Sequence, residues 1–255
     1  MTLDALETRI STHRDYSESP DDVEEAVIRE LQLPVEGSLL DVGAGTGSFL
    51  ARLRAAGHEG RLVGVDNSPA AVTRVEATGA AEAILADAED LPLPDSGFDA
   101  VTARHMLYHL ADPDRALREF CRVVRPGGQI VATVNHANVL PNVTSMVRQE
   151  LQAVGIVPEP VSQWVSSQDL PDRMSAVADD VRVVRRDNAL VFTESKPLIR
   201  FAVAILGIYG LPRDSPMRAD VIRSLETRVT AWFQEGHQVW RDPKGYTVCV
   251  GRVLQ

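Results

Sequence analysis

The stretch Leu39-Leu40-Asp41-Val42-Gly43-Ala44-Gly45-Thr46-Gly47-Ser48-Phe49 constrains this chain more than any other. Residues 38–42 are apolar and β-compatible, as a strand buried on both faces of a parallel sheet should be. Gly43, Gly45 and Gly47 alternate after it, and Phe49-Leu50-Ala51-Arg52-Leu53 opens a helical pattern. A turn without Cβ atoms can reach positive φ and let its backbone approach a ligand closely. The helix that follows points free N–H groups at the same ligand. The stretch is therefore a nucleotide-type cradle at a strand–helix junction. Its spacing is G-x-G-x-G rather than the G-x-G-x-x-G of a dinucleotide site, and Ser48 stands where the third dinucleotide glycine would fall. Asp41, just inside the strand end, would repel a pyrophosphate but could hold a cationic or amino-bearing ligand.

Around the cradle the chain alternates strand and helix. Residues 1–20 are polar with scattered apolar positions, and Arg9 to Ser17 reads as a loop or short helix. A helix starts at Ser19-Pro20-Asp21-Asp22, with Pro near its first position and acids in its first turn, and Pro34 ends it. The helix after the glycines runs to about Ala56 and stops at Gly57. Further strands are expected at 62–66, 83–86, 98–103 and 129–134, with helices at 70–78 and 114–124 between them. Arg125-Pro126-Gly127-Gly128 breaks the second of these helices. Strands alternating with helices imply a doubly wound α/β parallel sheet with right-handed crossovers. After Asn135 the pattern loosens. Residues 136–180 read as an insertion that contributes a cap, helical over Thr144 to Val154 and then Pro-containing. Two short strands at 181–186 and 189–192 flank a turn at Asp187-Asn188. Helices follow at about 196–207 and 215–235, and Gly245 to Val253 is a closing strand.

Bulk properties narrow the partners. A 255-residue chain is one large domain, or one domain plus a small subdomain. The formal net charge of −10 argues against nucleic acid, whose binder needs a basic face. No apolar run approaches the roughly 20 residues of a membrane span, and Phe201 to Leu211 is a buried helix instead. The N-terminus has no apolar core or small-residue cleavage site, so no signal peptide is expected. Cys121 and Cys249 lack metal spacing and read as reduced filler in a cytoplasmic protein, and no metal site is suggested. Oligomeric state is not encoded in any motif, which leaves a homodimer open.

In open α/β sheets a ligand binds outside the carboxyl ends of the strands, at the topological switch point. The informative residues are therefore Asp41 to Gly47, Asp66, Asp87, Arg104-His105 and Asn135-His136, after the first to fifth strands in turn. Asp66, some 20 positions past the glycines, is placed to accept from two ribose hydroxyls. The competing reading, a turn or helix-cap aspartate, is weaker because Ser68 is available for that work. Asp87 could accept from an adenine amino group or be a plain turn residue.

LLDVGAGTG, then GVDNS, then ADAEDLPLPDSGFDAV, then RHMLYHLADPDRALREFCRVVRPGGQIVATV, resembles the ordered motif set of the class I S-adenosylmethionine (SAM) methyltransferases. The resemblance covers roughly residues 38–134. It points to the small-molecule group that includes ubiquinone and menaquinone C-methyltransferases and natural-product tailoring enzymes. It implies a seven-stranded sheet of order 3-2-1-4-5-7-6 with an antiparallel seventh strand, here 245–253. It implies one methyltransferase domain with core 34–135 and 181–255, an N-terminal lid 1–33 and the cap at 136–180. SAM would be the cofactor and S-adenosylhomocysteine its product. Gly43, Ala44, Gly45 and Gly47 would line the methionine and ribose portion through their backbone. Asp41 would orient the loop or hold the amino group through water. Asp66 would take the ribose hydroxyls, with Asn67 beside the adenine and Asp87 and Ala88 addressing its ring. The main chain of Ala103-Arg104 would face the methionine end, and Tyr16 or Arg14 would meet the carboxylate. The family's usual aromatic pair in this N-terminal segment is not clearly present in THRDYSES.

Methyl transfer is in-line displacement at a sulfonium carbon, so alignment and exclusion of water matter most. A general base helps if the nucleophile carries a proton. His105, His109 and His136 are the candidates, because imidazole titrates near neutrality. His109 lies in a helix-like turn and could instead be a core or capping residue. Tyr108, Trp164, Trp232 and Trp240 read as packing. The acceptor is a small molecule, and the absence of an N-P-P-Y-like motif after the fourth strand leaves O-, C- and secondary-amine N-methylation open. Two alternatives remain. The fold could hold SAM structurally for a non-methylating cyclisation, or the chain could be a dinucleotide-dependent oxidoreductase.

Overall fold

The computed structural model describes residues 3–158 and 165–254. The chain divides into two compact units, each considered by itself. One comprises Asp22–Ala137, Gln163–Arg186 and Tyr246–Gln255; the other comprises Met1–Asp21, Asn138–Ser162 and Asp187–Gly245.

The first unit is built on a seven-stranded sheet of order β3-β2-β1-β4-β5-β7-β6. Its strands are β1 (Leu39–Val42), β2 (Leu62–Asp66), β3 (Glu82–Leu85), β4 (Phe98–Arg104), β5 (Val124–Asn135), β6 (Asp179–Phe192) and β7 (Trp240–Arg252). β1 to β5 pair in parallel, and β7 runs antiparallel to β5 from Gln129↔Arg252 to Asn135↔Tyr246. Fold class and strand order are those the sequence resemblance implies.

Alternation along the strands explains the two cores. Successive side chains leave a strand on opposite faces. Leu40, Val42, Val63 and Val65 pack with the apolar face of helix α5 (Pro113–Val123), where Ala116, Leu117 and Phe120 are fully buried. Leu39 and Leu62, on the other face, pack with Val27 of α2 (Val23–Glu30), Phe49 and Leu50 of α3 (Ser48–Ala55), and Val75 of α4 (Pro69–Ala77). Asp22 caps α2 by accepting the Glu25 N–H at 3.0 Å.

The second unit is mainly helical. Its core gathers Val143, Met146 and Leu151 of α6 (Pro141–Ala153), Leu198, Phe201 and Ala202 of α8 (Ser195–Ile205), and Val221, Leu225 and Val229 of α9 (Arg218–Gln234). The apolar run at 201–211 is thus buried within helix α8 and the turn after it. Among the described residues no helix is long and apolar enough to cross a membrane.

Several boundaries differ from the sequence reading. The N-terminal segment is a full helix, α1 (Leu3–Asp15). Arg125-Pro126-Gly127-Gly128 ends the helix but does not delay the strand. β5 begins at Val124, opposite Phe98, and a register shift between Phe98 and Ala100 absorbs the extra residues. The expected pair of short strands at 181–186 and 189–192 is one 14-residue strand, β6. Asn188 is not a turn residue. It is buried in extended chain, donating Nδ2–H to the Ser19 carbonyl at 2.9 Å and accepting the Ser19 N–H on Oδ1 at 3.2 Å. Residues 165–186, including α7 (Leu170–Ser175), cluster with the sheet, and 187–245 cluster with the helices.

Candidate active site

The carboxyl ends of β1, β2 and β4 enclose a cavity of about 230 Å3. Its wall includes Gly43, Asp66, Asn67, Ala88, Arg104, His105 and His109, together with Met106 and Leu110. The volume is a little below the roughly 300–1,000 Å3 of pockets that enclose a whole ligand. It therefore suits part of a nucleoside-sized molecule rather than a cofactor and an acceptor together.

The glycine turn takes the shape that its composition allows. Gly43, Gly45 and Gly47 have φ of 72°, 58° and 73°, in the left-handed region. A Cβ on Gly43 would stand 2.8 Å from the Met106 Cβ, so a side chain is excluded there. Four N–H groups of the turn, those of Gly43, Ala44, Gly45 and Gly47, are already engaged. Gly43 and Ala44 donate to the Val65 carbonyl at 2.8 and 3.0 Å, and Gly47 donates to the Ala44 carbonyl at 3.0 Å. Ala44 packs in the core, only 3% exposed.

Asp66 ends β2 and closes the other side of the cavity. Oδ2 accepts the Gly45 N–H at 2.9 Å and Oδ1 accepts the Ser68 N–H at 3.0 Å. Each oxygen of a carboxylate can accept two hydrogen bonds, so one site per oxygen remains. These are acceptors suited to a ribose diol, and the residues present fit the nucleoside end of SAM. Asp87 is exposed, and its Oδ1 accepts the Glu89 N–H at 2.9 Å. The neighbouring Ala86 and Ala88 line the cavity, whereas Asp87 does not.

Asp41 is fully buried and is held by side chains. It accepts from Thr102 Oγ1 at 2.7 Å and from Arg104 Nη2 and Nε at 2.8 and 3.3 Å. The Arg104 guanidinium also lies 4.2 Å from the centre of the Phe49 ring, with Glu24 at 3.7 Å. Arg104 was expected to act through its main chain; its side chain is the more engaged part. An alternation of charge at two adjacent strand ends, Asp41 and Arg104, was the sequence signal for this pair.

The three histidines part company. His105, just after β4, has φ of 53°, unusual for a residue with a Cβ. Its N–H is donated to the Thr133 carbonyl at 2.8 Å. Its ring lines the cavity and meets Tyr246 edge-on at 5.9 Å. The ring Nδ1 is buried with no hydrogen-bond partner among the described residues. Burial, aided by the Arg104 charge, pushes the His105 pKa down to about 4. His109 lines the cavity from an exposed turn and stacks edge-on with Tyr108 at 4.6 Å. His136, one residue past β5, does not line it.

Tyr16 belongs to the helical unit, where its ring stacks on Phe192 at 5.1 Å. Arg14 pairs with Asp15 at 2.7 Å. Trp232 and Trp240 meet at 5.1 Å and line a second hollow of about 710 Å3 in that unit, with Met146, Arg228 and Arg241. Trp164 lies outside the described residues. Met106 and Tyr246 were not singled out in the sequence. Each is an apolar or aromatic residue whose place beside the site follows only from strand pairing.

A strand order of 3-2-1-4-5-7-6, a glycine turn after the first strand and a carboxylate ending the second define a SAM-methyltransferase architecture. Comparison with known proteins agrees. A methyltransferase domain family matches residues 40–132. The demethylmenaquinone methyltransferase of Thermus thermophilus is 30% identical over 164 residues, 56% of this chain and 74% of that protein. Methyltransferase GfsG of Streptomyces halstedii is 32% identical over 138 residues, 51% of this chain and 50% of that one. The ubiquinone/menaquinone biosynthesis C-methyltransferase UbiE of Vibrio cholerae is 36% identical over 101 residues, 36% of this chain and 39% of its own length. The chain thus spans well under half the length of some of the curated relatives it matches. Among solved structures, the YcgJ protein of Bacillus subtilis superposes with a TM-score of 0.59 at 20% identity, covering 91% of this chain and 98% of that one. The [4+2]-cyclase SpnF superposes with a TM-score of 0.55 at 20% identity, covering 91% and 80%. The chain belongs to the class I SAM-dependent methyltransferases, whose cofactor is S-adenosylmethionine.

Proposed function

We propose that this protein transfers the methyl group of S-adenosylmethionine to an oxygen, nitrogen or carbon nucleophile of a small molecule, in secondary metabolism. The observation that carries the proposal is Asp66, which lines the cavity beside the glycine turn and whose two oxygens each accept one N–H, leaving each a further accepting site. Asp66 binds the ribose hydroxyls, and Asn67 and Ala88 flank the adenine. Gly43 and the Arg104 region border the methionine end. Asp41, Ala44, Gly45 and Gly47 hold the turn beside the cavity rather than form its wall.

Bound SAM supplies a sulfonium carbon with a good leaving group. The chain's own work is to align that carbon with the acceptor and to keep water out, which is worth roughly 7–11 kcal/mol in favourable cases. Of the three histidines, His105 is the one in the cavity wall whose ring Nδ1 is buried. An imidazole titrating near 4 is a weak base at neutral pH, so His105 holds the acceptor by a hydrogen bond rather than taking its proton. That favours an acceptor that is already a good nucleophile, such as an ionised phenol, an amine or an electron-rich ring carbon. Relatives named for ubiquinone and menaquinone biosynthesis make phenolic rings the first class to screen.

The test is a metabolite screen with methyl-labelled SAM, scored by release of S-adenosylhomocysteine and by label in the product. A substrate consumed without S-adenosylhomocysteine would replace methyl transfer with a cyclisation-type reaction. Equilibrium titration with SAM, NAD and NADP addresses the oxidoreductase reading, which tight NAD binding without SAM binding would establish.

A further inference from the structure

The helical unit holds a hollow of about 710 Å3 that no step of the proposed methyl transfer uses. It lies where α6, α9 and the start of β7 meet. Its volume falls within the roughly 300–1,000 Å3 of pockets that enclose a whole small molecule. Two of the chain's three tryptophans, Trp232 and Trp240, stand in its wall, and both are only partly buried. Buried Met146 and exposed Val239 add apolar surface. Indole surface left facing a hollow is apolar area that the fold itself does not cover, and a ligand that covers it gains that burial.

The wall is braced. Trp240 meets Trp232 edge-on at 5.1 Å, and the His237 ring stacks on Trp232 at 4.4 Å. Asp242 accepts the Asn142 and Val143 N–H groups at 3.0 and 2.7 Å, which ties β7 to the first turn of α6. Glu150 of α6 accepts from Ser224 Oγ at 2.5 Å and from Arg228 Nη1 at 2.9 Å, which ties α6 to α9. A hollow held in this way is preformed, so a ligand entering it has few side chains to order. Its polar rim fits a hydrogen-bonding substituent rather than a free charge. Arg228 and Arg241 each already have a carboxylate, Glu150 at 2.9 Å and Glu18 at 2.7 Å. Their guanidinium groups still hold N–H donors with no partner among the described residues, Nε of Arg228 and Nη1 of Arg241. Glu235, the acid in the wall, has its side chain 69% exposed and stays solvated.

We propose that this hollow binds a planar aromatic molecule, its ring against the two indoles and a hydrogen-bond-accepting substituent at the arginine rim. A ring on an indole gains more than the area it buries, because aromatic pairs have offset and edge-on geometries that aliphatic groups lack. The inference does not depend on the proposed methyl transfer, and its test reads neither SAM nor turnover.

The test is calorimetric titration of the full-length protein with 2-naphthol and with decahydro-2-naphthol, its saturated counterpart. Saturable binding of 2-naphthol is expected, tighter than that of the saturated compound by roughly two- to twelvefold. Trp240→Ala should weaken 2-naphthol by about tenfold or more, whereas Trp240→Phe should keep most of the affinity. Ser145→Trp replaces an exposed side chain of the same wall and fills the hollow from the α6 side. It should abolish binding while circular dichroism and Tm stay close to those of the wild type, and it carries the test if Trp240→Ala does not fold. Equal binding of the two compounds, no saturable binding of 2-naphthol, or binding that survives Ser145→Trp overturns the proposal.

Discussion

Arg104 and Asp41 form a buried ion pair across adjacent strand ends, with Nη2 2.8 Å from an oxygen of a carboxylate that is 0% exposed. Each needs the other more than the fold needs the pair. Removing one partner strands a buried charge, which costs about 3–5 kcal/mol. Arg104→Met should therefore destabilise by that amount in urea unfolding. The double variant Asp41→Asn/Arg104→Met should recover most of the loss, because no buried charge is left unpaired. A double variant as unstable as the single one would show that Arg104 acts by packing on Phe49 instead.

Asp66 is the residue through which the proposed cofactor site is most directly tested. Asp66→Ala removes the acceptors for two ligand hydroxyls and should weaken SAM and S-adenosylhomocysteine by about 1.5–3 kcal/mol, or about 10- to 150-fold. Asp66→Asn keeps one acceptor oxygen and should fall between. Calorimetric titration measures both. Unchanged affinity in a folded Asp66→Ala protein would remove the ribose from this side chain and leave it as the brace of Gly45 and Ser68.

The sheet was legible because its signals are local. Each strand of the parallel half is a short apolar run closed by a polar or glycine-rich end, and the glycine turn announces its own backbone. The cavity wall was legible where the lining residue sits at a strand end, as at Asp66, Asn67, Arg104 and His105. Asp87 sits at such an end too, but it is exposed and does not line the cavity. Sequence could not show that placement. Nor could it show that Asn188 is pinned by Ser19, 169 positions away, so a residue type common in turns lies mid-strand. Met106 was silent for a similar reason. Its role against Gly43 is set by the parallel pairing of β1 with β4, a non-local contact.

Gly43 tests the shape of the turn. Alanine there meets two costs, a left-handed φ of 72° and a Cβ at 2.8 Å from that of Met106. The first is worth about 1–2 kcal/mol and the second about 1–3 kcal/mol, so Gly43→Ala should lose about 2–5 kcal/mol of stability. Adding Met106→Ala removes the Cγ that would stand 2.9 Å away but leaves the Met106 Cβ in place, so it should recover only part of the loss. Gly57→Ala is the internal comparison: it shares a positive φ of 93° but has open space around it, and should show only the backbone cost. Equal losses at the two glycines would mean that the close approach to Met106 relaxes freely.

His105 gives the protein a pH dependence of known sign. Its folded pKa is pushed down to about 4 from an ordinary 6.5 by burial and by Arg104. The unfolded chain therefore binds a proton at His105 at a pH where the folded chain does not. Above about pH 6.5 the imidazole is neutral in both states and contributes no slope. As pH falls from 6.5 toward 4, protonation favours the unfolded chain and stability declines; below about 4 both states are protonated and the slope vanishes. His105→Asn removes the titration while keeping a residue that tolerates positive φ. Thermal unfolding followed from pH 7.5 to 4 should show a steeper fall for the wild type than for the variant, with parallel curves above pH 7. If the two curves stay parallel throughout, His105 titrates near its ordinary pKa and is solvated. The same imidazole would then be basic enough to take a proton from the acceptor, and the role proposed for it would change from holding the nucleophile to activating it.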